Sequence, residues 1–131
     1  MAAIVPTVVS IGRGDGSAYR VTWTPIVQND TCVAYKSPDL SDKSIQALTT
    51  VNGTPTGAFD GCTVALHGSN DDGVTYAALN IPAGTAIGLT AAGIKAVLEN
   101  TEYVKPVITG GGANQNVTVA MVIHQTNPLR T

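Results

Sequence analysis

The sequence predicts an all-β chain, a two-sheet antiparallel β-sandwich in a single domain. Three observations predict it. Apolar and polar residues alternate with period two along several stretches. Turn-forming residues separate these stretches at spacings of about 8–12 residues, the rhythm of sandwiches and barrels. The length, 131 residues, suits one domain with one core. The composition agrees, with abundant Val and Thr, 14 Gly, 7 Pro and only 5% aromatic residues.

The first ten residues are apolar apart from Thr7 and Ser10. Two readings are open for residues 1–10: the first strand of the sandwich, or an extended arm that adds to a sheet edge of a partner. Within them Ile4, Val5, Val8 and Val9 are the candidate partner-binding residues. Gly12–Gly16 is a turn, and Tyr19, Val21 and Trp23 then alternate with Arg20, Thr22 and Thr24. Weaker strand patterns follow at Thr31–Lys36 and Ser44–Val51, with turns at Gln28–Asp30, Pro38–Asp42 and Asn52–Gly57. Cys62, Val64 and Leu66 alternate with Thr63, Ala65 and His67, and Ser69–Gly73 reads as a hairpin connection. Asp and Asn tolerate a positive φ there, and Gly73 supplies one without strain.

Thr75–Leu79 and Thr85–Thr90 are further strand candidates. Residues 91–100 contain Ile94, Val97 and Leu98 at helical spacing together with three alanines, while Gly93 opposes a helix. That segment is either the one short helix of the chain or a turn followed by a strand. Tyr103–Thr109 is β-rich, with Pro106 directing it towards an edge or a bulge. Asn116–His124 is the longest strand, and its apolar end, Met121–Val122–Ile123, is expected to be covered on both faces. Residues 125–131 form a polar tail.

Charge excludes several functions. Charged residues make up 12% of the chain, against a usual ~25%, and the formal net charge is −2. No basic footprint exists for nucleic acid. No apolar stretch approaches the ~18–20 residues that span a bilayer, and the N-terminus lacks the basic start of a signal peptide. A chain made in the cytoplasm is expected. Cys32 and Cys62 have no CxxC partner or nearby His, so two buried thiols are expected and a zinc site is not.

Catalytic constellations are equally thin. His67 and His124 stand alone at expected strand ends, outside any HExxH or GxSxG pattern. Glu99 and Glu102 read as part of a solvated patch with Lys95 and Lys105. Ser69–Gly73 lacks the distal Glu of a calcium loop. Arg13–Gly14–Asp15 spells an adhesion tripeptide, but a tight glycine-rich turn is the better reading. The expectation is a protein that is not an enzyme and holds neither cofactor nor metal.

One stretch carries a resemblance. Thr63–His67 followed by Gly68–Ser69–Asn70–Asp71–Asp72–Gly73 and Val74–Leu79 resembles a hairpin common in small structural proteins of tailed bacteriophages. Leu89–Asn100 and Tyr103–Gly111 are similar to those proteins as well, so the likeness covers about residues 57–123. The group it resembles is the capsid cement, or decoration, proteins of short-tailed phages. The resemblance implies a jelly-roll-like sandwich, often a homodimer, that sits outside the head shell. There it binds the major capsid protein and stabilises the shell against internal pressure. It implies a virion location, with host cytoplasm during assembly. The same hairpin occurs in phage fibre domains and carbohydrate-binding jelly rolls, which is the alternative. Tyr76 stands where sugar-binding relatives often have Trp.

Overall fold

The computed structural model describes residues 2–11, 18–37, 42–51, 54–55 and 58–124. The Arg13–Gly14–Asp15 tripeptide, most of the turns at 38–42 and 52–57, and the tail at 125–131 lie outside the described residues. Thirteen strands follow in order: β1 (Ala3–Ile4), β2 (Thr7–Ser10), β3 (Ala18–Val27), β4 (Thr31–Cys32), β5 (Tyr35–Lys36), β6 (Asp42–Leu48), β7 (Thr50–Val51), β8 (Thr54–Pro55), β9 (Thr63–Ser69), β10 (Ala77–Ala78), β11 (Gly93–Val97), β12 (Tyr103–Thr109) and β13 (Asn116–His124). The described residues contain no helix.

Two antiparallel sheets make the sandwich. One has five strands in the order β11-β6-β13-β3-β2, the other four in the order β10-β9-β12-β5. Beside them lie a parallel pair, β1 with β4, and a small antiparallel pair, β7 with β8. Period-two alternation places Val21, Trp23, Ile45, Ala47, Val119 and Met121 on the inner face of the larger sheet. Val64, Leu66 and Val104 face them from the smaller sheet, and all belong to one buried cluster. Trp23 fills much of this core and still satisfies its polar atom, since its Nε1–H donates to the Val33 carbonyl at 2.8 Å.

The long strand bends where it must. Opposite Thr118 of β13 lie two residues of β3, Thr24 and Pro25, which makes a bulge. The bulge brings the two threonine hydroxyls to 2.6 Å and accommodates a residue with no N–H to give. Pro106 likewise pairs opposite Leu66 on one side, past the two residues at which β5 borders β12 on the other.

Turn chemistry follows the sequence closely. Asn29, Asp60 and Asp72 take positive φ, as does Gly73 at the tip of the β9–β10 hairpin. Of the two readings left open for residues 91–100 the strand holds: Gly93–Val97 is an edge strand, because it pairs with Lys43–Ala47 of β6 and that ladder outweighs alanine-rich helix propensity. Two segments depart from expectation. Thr85–Thr90 forms only single bridges, Ala86 with Asn80 and Leu89 with Val64, although Ile87 and Leu89 point into the core. Val122 faces outward, half-buried between Arg20 and Ser44 on its neighbour strands, and no second layer among the described residues covers it.

Candidate interaction surface

The outer face of the five-stranded sheet is built from cross-strand rows. One row runs Ile94, Gln46, Ala120, Thr22, Thr7; the next runs Ala96, Ser44, Val122, Arg20, Val9. Arg20 is the one charge among these ten residues. The central side chains are short, so the surface is flat and has few ions to desolvate on contact.

This face runs into a charge-free edge. β2 is the outermost strand on that side, and residues 2–11 carry no ionisable side chain. Val8 lies across from Val21 and Val9 across from Arg20, so the two valines show on opposite faces of the edge. They remain 45% and 42% exposed, and Val5, just before β2, is 71% exposed. Ile11 and Val33 extend the apolar surface. Ile4 behaves differently. It is half-buried against the core, and its carbonyl accepts the Val33 N–H at 2.9 Å, so it anchors the edge instead of facing outward. Of the two readings for residues 1–10, the described residues form strands paired within the chain. Among the described residues, no strand pairs with the outer side of β2.

The other outer face has opposite chemistry. Lys105 stands over the Tyr76 ring at 4.2 Å and Lys36 over the Tyr103 ring at 5.9 Å. His67 lies mid-strand across from Lys105, not at a strand end. Burial, and secondarily the Lys105 charge, holds its imidazole below the usual value. Beside Tyr76 runs a groove of about 440 Å³ whose walls include Ser69, Asp71, Thr75 and Glu99.

Both carboxylates of the groove are already engaged. Asp71 accepts from the Ser69 hydroxyl at 2.7 Å and the Thr75 N–H at 2.8 Å, which together lower its pKa to about 2. Glu99 accepts from the Asn80 backbone N–H at 2.7 Å and from Asn80 Nδ2 at 2.6 Å. Glu102 accepts from the Asp72 N–H at 3.0 Å, so Glu99 and Glu102 serve separate loops instead of one solvated patch. These acids stitch turns together. Cys32 and Cys62 are free and buried, and burial pushes the Cys32 thiol up to about 12. Among the described residues no group of three or more His, Cys, Asp or Glu is placed to hold a metal ion. No helix among them is long and apolar enough to cross a membrane.

Of the candidates named from the sequence, Val5, Val8 and Val9 are exposed, while the face beside them was not singled out. The signal was present in the short residues alternating outward on β6, β13 and β3, but only the strand order sets them side by side. No protein-family model, curated protein or solved structure matches the chain.

Proposed function

We propose that this chain is a decoration protein of a bacteriophage head. It clamps neighbouring major capsid subunits from outside through the charge-poor face of its five-stranded sheet and the β2 edge. It works by contact and carries out no reaction. The observation that carries this reading is the continuity of a flat, nearly ion-free face with an unprotected apolar edge. Such a surface stabilises a joint through area and complementarity, and many symmetry-related copies multiply a modest contact.

The wiring supports the same reading. From β3 onward the chain passes through β5, β6, β9, β10, β11, β12 and β13, changing sheet at every step except β9 to β10. These eight strands fit the double Greek-key order of a jelly roll.

The test is saturable binding. The purified protein, mixed with emptied phage shells, attaches in a fixed ratio to the shell subunit, and Val9→Lys abolishes attachment while the chain stays folded. Failure of the wild-type protein to attach to any shell overturns the proposal. The second reading, a glycan-binding fibre module, is favoured by the Tyr76 groove. Retention on a glycan surface, lost in Tyr76→Ala, decides for it.

A further inference from the structure

A lysine sits inside this sandwich. Lys43 of β6 is only 5% exposed, and its neighbours across the sheet are the buried residues Val97 and Ile123. Its Nζ lies 2.7 Å from Oδ1 of Asn100, in the connection by which the chain passes from β11 of the larger sheet to β12 of the smaller. Glu99 adjoins Asn100 in sequence, and its negative charge is felt at Lys43. Burial pulls the Lys43 pKa down and outweighs the opposing charges of Asp42 and Glu99.

We propose that Lys43 and Asn100 form an intramolecular isopeptide bond. A primary amine and a side-chain amide meet at one place. The amine is partly desolvated, as a nucleophilic lysine needs to be, and the fold holds it against the amide it would attack.

The step balances without an oxidant or cofactor. Lys43 first releases its ammonium proton to solvent. The Nζ lone pair then attacks Cγ of Asn100, the carbon bonded to the oxygen that Nζ touches. The Nζ–Cγ bond forms and the Cγ–Nδ2 bond breaks. One Nζ proton passes to Nδ2, relayed by a water molecule, and Nδ2 leaves as ammonia. The other proton remains on the new amide. Asn100 is exposed, so ammonia has a way out. The product is a strap between the larger sheet and the inter-sheet crossover. It closes a loop from residue 43 to residue 100 and restricts the unfolded chain as a disulfide would. It also removes a buried charge.

The experiment is the intact mass of the denatured full-length chain, fresh and after prolonged incubation, followed by digestion and fragmentation. The expected result is a mass lower than the sequence by one ammonia in most molecules. A branched peptide should join Lys43 to residue 100, and Lys43→Arg and Asn100→Ala should both keep the full mass. The readout needs no shell and no folded variant, so it stands apart from the decoration reading. A wild-type chain that keeps its full mass after incubation overturns the proposal, leaving an ordinary hydrogen bond. So does an ammonia loss that persists in Lys43→Arg, because Asn100 would then have cyclised onto its own backbone.

Discussion

The two outer faces of this sandwich are made from the same kind of strand and solve opposite problems. The four-stranded face carries Lys105, Lys36, Tyr76, Tyr103 and His67, and its long side chains pair with one another. A face that satisfies itself in this way is stable in water. The centre of the five-stranded face carries Ser, Thr, Ala and Val around a single arginine, with Asp42 across from His124 at its end, and has little else to pair. The edges repeat the contrast. On β11 Lys95 falls on the inward-facing side of the strand yet remains exposed, a charge that discourages edge-to-edge addition. β2 has no such guard. Among the described residues, one edge and one face are thus protected while the β2 edge and the five-stranded face are bare, and it is this asymmetry that the decoration proposal uses.

A matched pair of substitutions gives the sharpest break. Ser44→Glu and Ala65→Glu each add one carboxylate, the first to the bare face and the second to the dressed one. Surface changes of this kind usually alter stability by no more than about 0.5 kcal/mol. Attachment to shells should therefore be lost in Ser44→Glu, with Tm nearly unchanged, and kept in Ala65→Glu. Equal losses in sedimentation with shells would erase the distinction between the faces.

The dressed sheet depends on a close approach that the bare sheet lacks. Gly68 lies on the inner side of β9 opposite Val104, and Thr101 sits where a side chain would be. A Cβ there would collide with the Thr101 hydroxyl and press on Leu79. Thr101 has little freedom to move, because its Oγ1 donates to the Tyr103 carbonyl at 2.9 Å. Gly68→Ala should destabilise by about 1–3 kcal/mol, the usual range for overpacking, in a denaturant titration. The same substitution at Gly84, where a Cβ meets nothing within 4 Å, is strained only by its positive φ.

How much of this was legible in the sequence differs by element. Val21 and Trp23 were readable as inward because β3 alternates cleanly beside Thr22 and Thr24. The hairpin at Asp72–Gly73 was readable because few residue types tolerate its φ. Gly93–Val97 was not, since local propensity and the spacing of Ile94 and Val97 fit a helix equally well and only the partner strand β6 decides. The candidate surface was half legible. Exposed valines in an uncharged run are visible from composition, but Ser44, Ala120, Val122 and Thr22 come from distant parts of the chain. Lys43 was invisible as a buried amine, because a lysine in an alternating strand reads as solvent-facing.

A smaller effect probes how the dressed face satisfies itself. Lys105→Met removes the charge over Tyr76, a contact worth about 0.5–1 kcal/mol at exposed sites. The loss should appear as a modest fall in Tm. It should also raise the His67 pKa part of the way towards the usual value, since burial is the larger cause of its depression and remains. An NMR titration of His67 reads both contributions. A return of the pKa to its ordinary value in Lys105→Met would mean that charge, not burial, governs this face.

The smallest effect is pH dependence. His67 binds its proton less readily when folded than when unfolded. Between the two pKa values the unfolded chain therefore carries more protons, and stability rises with pH. On acidification through the window just below the ordinary imidazole value, stability should fall slightly, by under about 1 kcal/mol for a half-exposed group screened by solvent, and Tm with it. His67→Gln should flatten that slope. Asp71 has the opposite chemistry and a separate window. Its folded pKa of about 2 lies below that of a free carboxylate, so its contribution is present above the unfolded value and is lost as pH falls towards 2. Asp71→Asn should remove only this lower step. Two separable steps, one per residue, would show that the burial of His67 and the hydrogen bonding of Asp71 act independently. Neutralising Arg20 on the bare face should leave both steps in place.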